Sequence, residues 1–343
     1  MTDPTPVGTN VTPVIVQQPS PVSRWTIRLL AILLVLSVMA NVSQFAAYQD
    51  YSGGVNAPYE RFHSGTLSAS RKIARLTVDF TIMPPFTQRI LDTIDVVADD
   101  DSIDGVLLVV DSPGGLVSDS HEIYHRLKEL AEKKPIFVSM GGIAASGGYY
   151  VAMAAGAEGK IYAQPTTWTG SIGVIMPRYD LTGLADKVGV ESDSMSTGPL
   201  KDTLNPLKEM SAEEREVWRV ILEESFDRFL EVIDQGRPDL DLARIRELAT
   251  GQVYTSRQAL ENGLVDAIGY EEDAIDALQK KLGLEEVRVV EYEHPQTFVD
   301  MLMSAQVSAP STGDVLGKLL ESSVPRAMYL FGRMPGLSTM QIR

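Results

Sequence analysis

The sequence predicts an α/β fold with parallel strands, preceded by an N-terminal transmembrane helix. Three observations predict it. Gly105-Val106-Leu107-Leu108-Val109-Val110 is a continuous apolar run, the pattern of a strand buried on both faces. A turn (Asp111-Ser112-Pro113-Gly114-Gly115), a helical stretch from a cap at Ser118 to about Lys133, and a second buried run from Pro135 to Met140 follow it. Such a β-turn-α-β order lays its two strands parallel. Finally, Leu29 to Gln49 carries no charge and follows Arg24 and Arg28.

Taken in order, residues 1–23 are rich in Pro, Thr and Val with one charge, and read as a disordered cytoplasmic tail. Residues 24–49 read as a transmembrane signal anchor, since about 20 residues at ~1.5 Å rise span the ~30 Å hydrocarbon core. Arg24 and Arg28 lie before the span and Asp50 and Glu60 after it, so the N-terminus is expected in the cytoplasm and the bulk outside. A cleaved signal peptide is the alternative, because the strongest apolar run, Leu29 to Ala40, is twelve residues and Phe45-Ala46-Ala47 suits a cut. Residues 50–70 read as a linker. From Arg71 to Ile82, Ala74, Leu76, Val78, Phe80 and Ile82 alternate with Arg75, Thr77, Asp79 and Thr81, as in a half-exposed strand.

Lys160 to Ala163 and Ser171 to Met176 read as further short strands. Ser211-Ala212-Glu213-Glu214 is a capping box that opens a long helix to about Gln235, with Val217, Val220, Ile221, Phe226, Phe229 and Leu230 on one stripe. Arg237-Pro238 ends it. Helices around Leu242–Leu248 and Ser256–Asn262 flank Gly251-Gln252-Val253-Tyr254, and a last one covers Glu272 to Leu282. The compact domain is thus expected over 71–290. Residues 291–343 form a less regular tail, either mobile or docked on a neighbouring copy.

Composition narrows the function. The 46 acidic and 30 basic residues give −16; residues 1–48 hold Asp3, Arg24 and Arg28, a net +1, leaving −17 on the remainder. That balance argues against a nucleic-acid partner, which normally meets a basic surface. With no cysteine, disulfides and thiolate chemistry are excluded.

The chemistry is carried by small residues. Ser146 lies in Gly141-Gly142-Ile143-Ala144-Ala145-Ser146-Gly147-Gly148-Tyr149-Tyr150, after a strand and before two glycines. Small neighbours let a substrate backbone approach and let amide N–H groups converge. Such a cluster also packs a helix on a sheet. An acyl-transfer enzyme needs two donors where the oxyanion forms. The N–H of Gly147 is one candidate; the Gly114-Gly115 turn offers the other, with Gly115 favoured because the following helix directs its early N–H groups there. No histidine occurs between Ser146 and His294, so the usual imidazole base has no obvious source, and a lysine can replace it where its surroundings keep it neutral. Lys201, in the polar segment between Val190 and Leu207, is the candidate. A lysine acting as base must shed its proton near neutral pH, roughly three pH units below its ordinary ~10.4. Ser171, in Thr169-Gly170-Ser171-Ile172-Gly173, is a candidate hydroxyl to orient it.

One motif competes. His121-Glu122-Ile123-Tyr124-His125 matches H-E-x-x-H, the zinc metalloprotease pattern. However, Ile123, Leu127 and Leu130 form the apolar stripe of this helix while His121, His125, Lys128 and Glu132 share the polar one, so both histidines are expected to face solvent. No metal and no other cofactor is expected.

These residues resemble the signal peptide peptidase SppA family in its short, single-repeat bacterial form. The likeness covers roughly 71–290. It rests on Asp111 to Gly115, Ala144 to Tyr150, Thr169 to Ile175, Ser196-Thr197-Gly198-Pro199-Leu200-Lys201-Asp202 and Gly251 to Tyr254 in the same order. The resemblance implies a ClpP/crotonase-like fold of repeated ββα units, Ser146 as nucleophile, Lys201 as base, Ser171 as the serine that orients it, and Gly115 with Gly147 as oxyanion hole. It implies an extracytoplasmic catalytic domain, homo-oligomers with sites shared between protomers, and remnant signal peptides and other extended peptides as substrates. Gly251-Gln252 departs from the pattern, in which a basic residue more often follows the glycine. A crotonase-like acyl-CoA enzyme and a catalytically silent membrane scaffold are the alternatives on the same fold; the −17 balance offers no basic patch for a CoA phosphate.

Overall fold

A computed structural model describes residues 21–51, 57–295 and 328–330. Most of the N-terminal tail, part of the 50–70 linker and most of the C-terminal tail lie outside the described residues. The chain divides into two compact units, Met1–Asn56 and Ala57–Arg343. In the first, helix α1 (Pro21–Tyr51) contains Trp25–Phe45, 21 residues of mean hydropathy 2.0, long and apolar enough to cross a membrane.

The second unit is a mixed α/β structure. Its strands are β1 (Tyr59–Gly65), β2 (Lys72–Val78), β3 (Ile103–Ser112), β4 (Gly114–Leu116), β5 (Ile136–Ala145), β6 (Ile161–Ala163), β7 (Trp168–Gly170), β8 (Val253–Thr255), β9 (Ala267–Ile268), β10 (Arg288–Glu293) and β11 (Met328–Leu330). The helices are α2 (Phe86–Asp99), α3 (Val117–Ala131), α4 (Gly147–Ala152), α5 (Thr182–Val188), α6 (Ala212–Gly236), α7 (Leu242–Leu248), α8 (Ser256–Glu261) and α9 (Glu271–Leu282). The main sheet runs β1-β10-β2-β3-β5-β6-β9, with β7 attached to β5 and β8 to β7. Within this sheet, among the described residues, only the β1–β10 and β7–β8 pairs are antiparallel.

The apolar run of β3 explains the layering. Val106, Leu108 and Val110 belong to one core cluster, which includes residues of α2, α3, α4 and α6. Leu107 and Val109 belong to the other, with Ala274 and Leu278 of α9. Alternate side chains leave opposite faces, so a strand covered on both sides must be apolar throughout. β2 keeps the expected alternation: Ala74, Leu76 and Val78 are buried, while Arg75 reaches Glu271 at 2.6 Å and Thr77 at 2.8 Å.

Several boundaries differ from expectation. The strand predicted over 71–82 ends at Val78, and Ile82 instead bridges Gly115. The short strand read at Ser171–Met176 lies earlier, at Trp168–Gly170, and of those residues only Ile175 makes a bridge, to Met328. The Ser171 backbone has a φ of 50°, which breaks an extended run. Ser118 is not the cap of α3: the helix starts at Val117 behind Leu116, with no side-chain cap. The Ser211–Glu214 capping box forms as predicted. Strand β1, within the segment read as a linker, pairs with β10.

Candidate active site

β5 delivers Ser146. Its first half pairs with β6 at Val138–Met140 and its second with β7 at Ile143–Ala145. Between them lies Gly141-Gly142, where the register against β3 shifts and the Ile143 N–H donates to Asp111 Oδ1 at 2.9 Å. A Cβ on Gly141 would sit 2.9 Å from Asp111 Cγ, so glycine permits this change of partner. The strand then stops sharply. Ser146 has φ 55° and ψ −114°, is 1% exposed, and caps α4. A non-glycine residue in such a conformation costs about 1–3 kcal/mol and persists only where its surroundings fix it. Here its N–H donates to Gly170 O at 2.8 Å and its carbonyl accepts from Tyr150 N at 2.9 Å.

The same register brings Ser171 alongside. Ala145 pairs with Gly170 in parallel, so Ser146 and Ser171 are the residues that directly follow the ends of adjacent strands. Ser171 is also buried, its N–H bonded to Gln252 O at 2.8 Å.

Gly147 packs directly on the Gly114-Gly115 turn. A Cβ at Gly147 would lie 3.1 Å from Gly115 N and 2.5 Å from Ser120 Oγ; a Cβ at Gly114 would lie 2.5 Å from Gly147 N. Gly114 itself has φ 94°. Ile82 N–H donates to Gly114 O and Leu116 N–H to Ile82 O, at 2.9 and 2.8 Å. Strand alternation therefore turns the N–H of Gly115 toward the other edge of this short strand.

β11 occupies that edge. It runs antiparallel to β4 with Tyr329 opposite Gly115, and Met328 exchanges both backbone hydrogen bonds with Ile175, each 3.0 Å. Tyr329 is fully buried. Its ring stacks on Tyr150 at 5.0 Å, lies 4.7 Å from Phe229, and its hydroxyl donates to Ser225 O at 2.6 Å. Burial pushes the Tyr150 and Tyr329 phenols up, so both stay protonated. Residues 328–330 of the C-terminal tail thus pair with their own chain, against the Gly114-Gly115 strand that Gly147 packs on.

Lys201 is different. It is exposed and its side chain makes no hydrogen bond or ion pair among the described residues; its N–H donates to Gly198 O at 3.2 Å. The two histidines of the H-E-x-x-H motif are both exposed, as their helix face predicted. His121 nevertheless shares a 2.7 Å hydrogen bond with Tyr150 Oη, and burial, then Arg228 and His125, hold its pKa below the usual imidazole value. His125 lies 3.6 Å from Glu129.

The profile of peptidase family S49 matches residues 128–285. A protein of Enterococcus faecium named as signal peptide peptidase SppA is 39% identical over 71% of this chain and 73% of its own. The protease slr0021 of Synechocystis is 36% identical over 73% of this chain and 89% of its own. The chain belongs to peptidase family S49. Protease 4 of Salmonella typhi is also similar, 34% identical over 65% of this chain and 35% of that longer protein. As a family S49 member this protein is a serine peptidase.

For this S49 peptidase nothing in the sequence signalled that β11 would pair beside Gly115, or that Ser225 would accept from Tyr329 there. Ser225 and Phe229 lie more than 75 residues from Ser146, whereas Tyr150 and Ile175 stood within the motifs that carry the family resemblance.

Proposed function

We propose that the protein is a membrane-anchored serine endopeptidase that cleaves extended peptides, remnant signal peptides among them, with Ser146 as nucleophile and Lys201 as base. Lys201 takes the Ser146 proton as Oγ attacks the peptide carbonyl. The Gly115 and Gly147 N–H groups hold the oxyanion, and the protonated lysine returns its proton to the leaving amine. Water then enters, loses its proton to Lys201, and hydrolyses the acyl-enzyme. Ser171 orients the amine. The fold is read as ClpP/crotonase-like. The observation that carries the proposal is the junction of the strained Ser146 backbone with Ser171 on the adjacent strand and the Gly114-Gly115 turn against Gly147. The backbone pairing of β11 supports an extended substrate, since strand addition reads backbone and leaves side chains to pockets.

Ser146→Ala tests this. Peptide hydrolysis should fall on the order of 10⁴-fold or more with the fold retained, and a fluorophosphonate adduct should map to Ser146 by mass spectrometry. Full activity in Ser146→Ala refutes the mechanism. α1 is read as the anchor, with the N-terminus cytoplasmic. Protease added to spheroplasts should digest the chain beyond residue 57; protection of that region reverses the topology.

A further inference from the structure

We infer that Thr203, Trp218 and Arg178 form a clamp that positions Lys201, and that peptidase turnover depends on it. The inference rests on the reading of Lys201 as base. In the polar segment around Lys201, residues 191–197 are all exposed, as is Lys201 itself, yet Thr203, two residues on, is 7% exposed. Its hydroxyl accepts the indole N–H of Trp218, on α6, at 3.0 Å. Arg178 Nη2 donates to the carbonyls of Asn205 at 3.3 Å and Lys208 at 2.5 Å. Leu181 N–H donates to Pro206 O at 2.8 Å. Asn205 Nδ2 reaches Asp202 Oδ2 at 3.1 Å and Ser192 Oγ at 2.7 Å, drawing the two ends of the segment together. Lys208 Nζ lies 2.8 Å from Glu214, the buried capping-box carboxylate of α6.

The segment contributes almost no apolar residue to either core cluster, so polar bonds hold it. Fixing each backbone residue costs about 1–2 kcal/mol, and a loop with no task at its tip has no need of a buried threonine, an indole donor and a guanidinium. The clamped stretch begins immediately after Lys201. It leaves the lysine as a long side chain on a turn of fixed direction, while the amine itself has no partner among the described residues. A base presented on a rigid support loses less freedom on meeting its nucleophile, and small misplacements cost large factors in rate: a shift of about 1 Å can cost about 10²-fold. Thr203 and Trp218 are positioning residues here; neither is placed on substrate.

The test compares Thr203→Val, which keeps the shape and removes the hydroxyl, with Thr203→Ser, which keeps the hydroxyl, in the full-length protein on an unstructured peptide. Thr203→Val should lower kcat by about ten- to a hundredfold with KM within about twofold, and Thr203→Ser should restore most of the rate. Trp218→Phe, which removes the donor from the other side, should match Thr203→Val. Amide exchange of residues 198–203 should quicken in both losses while that of 146–152 stays as in wild type. Wild-type kcat in Thr203→Val and Trp218→Phe, beside an inactive Lys201→Ala, overturns the clamp alone. An active Lys201→Ala overturns the base reading beneath it. Should Thr203→Val not fold, Trp218→Phe decides by the same measurements.

Discussion

Ser146 and Lys201 are held in opposite ways. Ser146 ends a strand inside the main sheet, with both backbone groups bonded and only 1% of its surface exposed. Lys201 stands on a turn at the edge of a polar segment, exposed and with no side-chain partner among the described residues. The environment of Ser146 is a by-product of core packing: β5, β7 and α4 must form for the domain to fold, and they carry Ser146 with them. The lysine's environment is not. A base has to be neutral, and desolvation is what neutralises an amine. The single chain therefore buries Ser146 and leaves Lys201 open, and if the two act as the proposed dyad a neighbouring copy would supply the missing burial.

The largest effects break this contrast at the lysine. Lys201→Arg should be inactive although it keeps the charge, because a guanidinium does not deprotonate in proteins. Mixing Ser146→Ala with Lys201→Ala subunits should restore part of the activity if the base comes from another protomer. Co-assembled mutants that stay inactive, while wild-type and mutant mixtures are active, would put the dyad within one chain.

Next comes the nucleophile's side. Gly147→Ala should lower kcat by about 10²–10³-fold, the usual loss when one oxyanion donor is displaced. The added Cβ would stand 3.0 Å from Gly114 Cα and 3.1 Å from Gly115 N, so the two turns must move apart. Thermal stability should fall too, since this contact is part of the core. A Gly147→Ala enzyme with wild-type kcat would show that these amides do not meet the oxyanion.

The smallest effect concerns the strand that fills the groove. Removing residues 328–343 should raise kcat/KM for a peptide a few-fold, on the order of 1 kcal/mol of relieved competition. Tyr329→Ala in the full chain should move the same way, because it empties the pocket of Tyr150 and Phe229. Unchanged or lower kcat/KM in both would mean that β11 supports the site instead of competing for it.

Features that depend on near neighbours are legible along the chain. The unbroken apolar run of β3, the alternation in β2, the stripe of α3 and the Ser211–Glu214 capping box are written in residues a few positions apart, and each formed. The motifs around Ser146, Ser171 and Gly115 were legible as well, because tight turns restrict which residues fit. Tertiary structure decided the rest. Helix α2 escaped notice even though Ile90, Leu91, Ile94 and Val97 line one face. The exposed half of the α6 stripe, Val217, Val220 and Ile221, looks like core in sequence and is not covered among the described residues. The placement of β7 before Ser171, the meeting of Gly147 with Gly114-Gly115, and the seating of Tyr329 opposite Gly115 are pairings between distant segments. No local period encodes them, because the energy that selects them exists only once both partners are folded.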